Sequence, residues 1–196
     1  MCGRYQIDDD MRAIIERFDI ESIFNDAEAK IGEIFPTNQA PVIMNTGGKN
    51  ILKIIKWGIR PVYMNTDIIN TRRESLFEKK LFNEGIISGR CLVPANSFYE
   101  WEKTGYGKEK RKISLFENEL MAFAGICMKM RDSKTGNEME AFSIITKEAP
   151  DHFRKIHDRM PVILKREDEV YWIGSGMTKD KICSMIDRSR SEMKIA

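Results

Sequence analysis

Hydrophobic and polar positions recur along this chain with two periods. In "DDDMRAIIERF", apolar residues fall at Met11, Ile14, Ile15 and Phe18 behind an acidic start. That is the spacing of one helix face, with acidic residues where a helix begins. "APVIMN" and "ILKIIKW" are strand-like runs around "TGGK" and predict a hairpin. "SLFEKKLFNEG" predicts a helix that stops at Gly85. Four more strand-like runs follow, "CLVPANSFYEW", "RKISLF", "LMAFAGICMKM" and "MEAFSIIT", joined by the polar connections "EKTGYGKEK", "ENE" and "RDSKTGNE". "EAPDHFRKI" reads as a short helix and "RMPVIL" as a strand. Two helices, from about Glu167 and about Lys179, close the chain. Consecutive strands joined by short turns make an antiparallel sheet. The expected fold is α+β: a β-rich single domain over residues 1–196, with a curled, barrel-like antiparallel sheet and peripheral helices.

Composition narrows the class. The 196 residues are 42% hydrophobic and 32% charged, an ordinary balance for one packed core. Lys and Arg number 32 against 30 Asp and Glu, a net charge of +2, so a nucleic-acid site must be a local basic groove. No run approaches the ~20 apolar residues of a membrane span, and "MCGRYQIDDD" has no apolar stretch behind a basic start. No membrane partner and no secretory signal are expected. Cys2, Cys91, Cys127 and Cys183 form no Cys-x-x-Cys pair, and the two histidines, His152 and His157, sit five apart. No metal site or cofactor is expected. Cys91, Cys127 and Cys183 have apolar neighbours and read as buried thiols, the usage of a reducing cytoplasm.

Candidate chemistry lies in a few short segments. If Met1 is removed from "MCGRY", Cys2 carries a free α-amine and a thiol on adjacent carbons. Such an aminothiol traps aldehydes: the amine forms an imine, and the thiol closes a thiazolidine. In "SFYEWEK" side chains alternate, so Phe98 and Glu100 share one face while Tyr99 and Trp101 share the other. An inward Glu100 would have its pKa raised into the range useful for proton transfer, whereas an edge-strand Glu100 would sit in water. "KIHDRMPVIL" puts His157, Asp158 and Arg159 at a helix–strand junction, where His157 serves either a site or a helix C-terminus. His152 reads as a solvated helix residue. "DIINTRRESL" offers Asn70 as an amide donor and Arg72 and Arg73 as phosphate ligands near a helix start, with Glu74 placed to pair with one of those arginines. Trp57 either stacks a base or packs in the core.

The joint order of "MCGRY", "P-T-x-x-x-P-V", "WG", "N-x-R-x-E", "R-C-x-x-P-A-x-x-F-Y-E-W", "A-F-A-G", "S-I-I-T" and "I-H-D-R-M-P-V-I-L" resembles the SRAP (SOS-response-associated peptidase) family, from Met1 to about Leu164. The resemblance implies a sensor of abasic sites in single-stranded DNA that crosslinks covalently to the ring-opened sugar aldehyde. Cys2 would be the nucleophile, Asn70 would orient it, Glu100 would relay protons and His157 would serve the ring oxygen. Arg4, Arg72, Arg159, Trp57, Trp101 and Thr146 would form the DNA groove. The peptidase label would apply to self-release of Met1, and the imine would permit β-elimination as a lyase side activity. A cytoplasmic monomer is expected. An unperturbed α-amine, with a pKa of ~7.7–8.0, is partly neutral at pH 7, and a thiol near ~8.5 supplies some thiolate.

The chain departs from the family pattern in places. Thr71 stands where alanine is usual and Ser97 where glycine is common. Tyr63 and Met64 stand where the family often has two aromatics, and the ending "EMKIA" suggests that a closing strand is missing. Two other functions compete: a cysteine peptidase on protein substrates using Cys2, His157 and Glu100, and a non-catalytic single-strand-binding module.

Overall fold

Two sheets share one core in this computed structural model, which describes residues 2–24, 28–116, 119–131 and 136–196. The elements are β1 (Tyr5–Ile7), α1 (Met11–Arg17), β2 (Ile20–Ile23), β3 (Gly32–Ile34), β4 (Gln39–Thr46), β5 (Lys49–Trp57), β6 (Asn70–Arg72), α2 (Lys80–Ser88) and β7 (Arg90–Ala95). They continue with β8 (Ser97–Thr104), β9 (Gly107–Ser114), β10 (Met121–Arg131), β11 (Glu138–Glu148), α3 (Asp151–Arg154), β12 (Arg159–Pro161), α4 (Arg166–Ile173), α5 (Lys179–Asp187) and β13 (Lys194–Ile195). Strands β4, β5, β11, β10 and β7 close into a barrel. A second sheet has the order β13-β9-β8-β1-β3. The α+β, barrel-like expectation holds, with one refinement. The barrel is not purely antiparallel, because β5 joins β11 in parallel (Phe142 opposite Trp57), as do β6 with β11 and β2 with β5.

Local chemistry explains most boundaries. Asp10 caps α1 by accepting from the Ala13 N–H at 2.9 Å. The β4–β5 hairpin turns on Gly47 and Gly48, at φ +62° and +86°, the left-handed pair that a two-residue type I′ turn needs. The run "CLVPANSFYEW" is two strands, not one. Its partner changes from β10 to β1 at Asn96, whose side chain accepts from the Asp8 N–H at 2.8 Å and donates to Asp9 at 2.5 Å. The helix predicted to stop at Gly85 starts later and runs through it. A short 3-10 turn occupies Arg73–Ser75, and α2 continues to Ser88. Gly85 is there for close packing, since a Cβ would come within 3.1 Å of Met128. A closing strand is also present: β13 pairs with β9 through Lys194 and Ile195.

An aromatic ladder runs through the core. Phe142 stacks on Trp57 at 6.4 Å, Trp57 meets Tyr5 edge-on at 5.1 Å, and Tyr5 meets Phe123 at 6.0 Å. Phe123 then meets Phe98, and Phe98 meets Phe153 of α3. Each such pair contributes ~0.5–1.5 kcal/mol beyond its buried area. The ladder ties β1, β8 and α3 to the barrel, and these are the elements that carry the candidate site. Cys91 and Cys127 are buried thiols, but Cys183 is half-buried, on α5. Among the described residues, no helix is long and apolar enough to cross a membrane, and no three metal-ligating side chains cluster.

Candidate functional site

Antiparallel register delivers the N-terminus to the site. Tyr5 lies opposite Phe98 and Gln6 opposite Ser97, and the Tyr99 N–H donates to the Arg4 carbonyl at 2.9 Å. Residues 2–4 therefore run past Glu100 and Trp101. On the barrel side, β6 sets Asn70 beside Ile144, and its amide donates to the Cys2 carbonyl at 2.8 Å. Trp57 holds the approach to β6 by donating its ring N–H to the Ile69 carbonyl at 2.9 Å. The departure at Thr71 has a local explanation, because its hydroxyl bonds to the buried Ser143 hydroxyl at 2.9 Å.

Cys2 is fully buried and donates its thiol weakly to the Arg4 carbonyl at 3.7 Å. Burial pushes the thiol pKa well above its ordinary value, and the charge of nearby Glu100 pushes it further. Glu100 is itself only 3% exposed, and desolvation raises its carboxyl pKa. It lines a groove of about 540 Å³ with Trp101, Lys103, Lys108 and residues 154–158. His157 faces the same groove. Its Nδ1 accepts from the Arg159 N–H at 3.0 Å and lies 2.6 Å from an Asp158 carboxylate oxygen. The neutral ring suits the first partner and the protonated ring the second. Burial favours the neutral form, since it lowers the histidine pKa.

The structure moves several expected DNA contacts inward. Trp57 is fully buried in the aromatic ladder, so it packs the core and does not present a face to a base. Thr146 is fully buried as well. Its carbonyl and hydroxyl accept from Arg159 at 2.7 and 3.4 Å. Arg159 is 8% exposed and grips Glu74 through two bonds of 3.0 and 3.1 Å. Burial would raise the Glu74 pKa, but the bonds from Arg159 outweigh it and hold the carboxyl below its usual range. Glu74 thus pairs with Arg159 across the fold. Of the two arginines beside Glu74, Arg73 bridges to Asp187 at 2.6 Å, and Arg72 is exposed. Arg4 lies between the rings of Phe35 and Trp101, at 4.2 and 5.1 Å, and bonds Glu33 at 3.3 Å. Tyr63 is exposed between β5 and β6, whereas His152 is exposed and bonds the Ser191 carbonyl at 3.0 Å. Sequence reasoning missed Lys103, Lys108, Arg154 and Lys155 on the groove. The signal was there in the two lysines flanking the Gly105–Gly107 turn, but residues 102–110 read as a connection.

Fold and site together define a β-barrel protein whose N-terminal strand delivers a cysteine beside a groove-lining carboxyl. The chain belongs to the SRAP family, described as SOS response associated peptidase, whose sequence pattern matches residues 1–196. It is 35% identical over 180 residues to the abasic site processing protein YoqW of Bacillus subtilis (strain 168), covering 88% of this chain and 80% of that one. It is 34% identical over 180 residues to YoaM of the same organism, covering 88% and 79%. A crystal structure of a Bacteroides thetaiotaomicron protein superposes with a TM-score of 0.82 at 25% identity, covering 94% of this chain and 86% of that chain.

Proposed function

We propose that this chain is an abasic-site processing protein acting on single-stranded DNA, with Cys2, freed of Met1, as the group that captures the lesion. The family and the names of its relatives support the abasic-site reading. The observation that favours this chemistry over a thiol peptidase is the setting of the Cys2 thiol. Thiol proteases lower the pKa of their cysteine, often with a histidine. Here burial and Glu100 raise it, and the thiol is turned towards the Arg4 carbonyl. Such a thiol stays protonated at neutral pH and is a poor leading nucleophile. A free α-amine has a neutral fraction there and can lead.

The amine nitrogen adds to the aldehyde carbon of the ring-opened sugar, and water leaves to give an imine. The sulfur then adds to the same carbon while the S–H proton passes to the nitrogen. Glu100, with its raised pKa, suits both transfers. His157 serves the sugar oxygen, and Asn70 fixes the Cys2 backbone. The imine also acidifies the adjacent sugar carbon, so loss of the 3′ phosphate is the expected lyase side reaction. Self-release of Met1 would use the same carboxyl and imidazole.

Mass spectrometry tests the chemistry. After reaction with an abasic oligonucleotide and nuclease digestion, the N-terminal peptide should lack Met1. It should carry the sugar remnant minus one water and resist alkylation at Cys2. A remnant on any other residue, or an alkylatable Cys2 in the adduct, contradicts the thiazolidine.

A further inference from the structure

The groove beside Glu100 has a wall that the reaction does not use. Strands β8 and β9 place Lys103 opposite Lys108, Trp101 opposite Lys110 and Tyr99 opposite Lys112. Like charges directly opposite each other on a sheet destabilise it unless something compensates. Elsewhere in this ladder the fold supplies the compensation. Glu102 faces Glu109, and Arg111 bridges both at 2.7 and 2.8 Å. Lys110 is neutralised by Glu33 at 2.6 Å and lies 3.9 Å over the Tyr99 ring, while Lys112 reaches Asp8 at 3.4 Å. Among the described residues, no carboxylate lies within ion-pair distance of Lys103 or Lys108. Arg154 and Lys155 also line the groove, as do the carboxyls of Glu100 and Asp158. Among the described residues, Arg154 meets an exposed Asp151 at 3.3 Å and the Ala149 carbonyl.

Trp101, half-exposed, lines the same groove of about 540 Å³ as these cations. That volume accommodates a nucleotide, and a pair of uncompensated cations beside an aromatic ring is the chemistry of a single-strand subsite: phosphate on the lysines, base on the ring. We propose that Lys103 and Lys108, with Trp101, Arg154 and Lys155, form a subsite for the nucleotide flanking the lesion on one side, and that a backbone phosphate bridges the two lysines. This rests on the reading that the chain acts on a DNA strand. To Trp101, which the resemblance already assigns to DNA, it adds Lys103, Lys108, Arg154 and Lys155, and it gives the groove a polarity, with lesion at Glu100 and flank towards the β8–β9 turn.

The test is the double variant Lys103→Gln/Lys108→Gln, compared with the parent in three measurements. On an intact single-stranded oligonucleotide, the slope of log K against log salt should flatten by about 0.7, the value for one phosphate that is no longer neutralised. Without DNA the thermal midpoint should hold or rise, because a like-charge pair is gone. In single-turnover crosslinking at limiting DNA, oligonucleotides should be truncated immediately 5′ or immediately 3′ of the abasic residue. On one of the two the variant should match the parent, since the subsite is empty there. An unchanged salt slope, or an equal defect on both truncated substrates, overturns the subsite. If the parent forms no crosslink with any abasic oligonucleotide, the functional reading fails instead, and the intact-strand salt slope still decides whether the lysines hold phosphate.

Discussion

Glu100 meets two opposed demands. Folding places it at 3% exposure, where an ionised carboxylate is costly, and the proton transfer proposed for it would benefit from the raised pKa that results. Because the folded-state pKa lies above the ordinary carboxylate value, the native state holds its proton to higher pH than the unfolded chain does. This group therefore costs no stability below the ordinary glutamate range. It costs progressively more as pH rises from there through its folded pKa. Glu100→Gln should match or exceed the parent in thermal midpoint at neutral pH, with the difference closing in acid, as a pH series of melting curves will show. Crosslinking by the same variant should slow by about 10²–10⁴-fold. A variant that melts like the parent at every pH and reacts like it would return Glu100 to a packing role. The alternation in "SFYEW" showed which neighbours share a face, but not whether that face is inward. Only the pairing of β8 with β1 and the burial of Phe98 beneath it decide that.

At the scale of elements, the two arginines expected to share one task divide between two. Arg72 leaves β6 into solvent, whereas Arg159 enters β12 and ties Glu74 to Thr146. Arg72→Ala should flatten the salt slope of single-strand binding by about 0.7. Arg159→Ala should leave that slope alone. It should instead destabilise the fold by on the order of 1–3 kcal/mol, between the values for exposed and buried pairs, since the Glu74 side chain is about half exposed. A salt titration and a thermal melt on each variant separate the roles, and a flattened slope for Arg159→Ala contradicts this assignment. Helix α1 and the β4–β5 hairpin were legible because periodicity, capping Asp10 and the paired glycines are local signals. The split at Asn96, the passage of α2 through Gly85 and the parallel joining of β5 to β11 were not. Each depends on a partner distant in the chain, and no local pattern names that partner. Trp57 illustrates the same limit: its burial follows from Tyr5 and Phe142, which arrive from β1 and β11.

The whole molecule brings together residues separated by more than a hundred positions. Cys2, Asn70, Glu100 and His157 were named through motifs that occur together. Their convergence depends on β1 inserting between β3 and β8 while β6 docks on β11. A net charge of +2 gives little diffuse field, so on the proposed reading DNA is held by local groups such as Arg72 and the lysines of the groove. Capture of the lesion is proposed to need the amine and the thiol of Cys2 together. The most direct measurement incubates single-stranded DNA bearing one abasic site with three proteins, and counts the denaturation-resistant protein–DNA band. The proteins are the parent, Cys2→Ala, and a chain whose N-terminus is extended so that Cys2 cannot be exposed. The parent should form the band, and the other two should form no stable one. A stable band of parental yield from Cys2→Ala, or from the extended chain with its extension intact, would contradict capture by a Cys2 aminothiol.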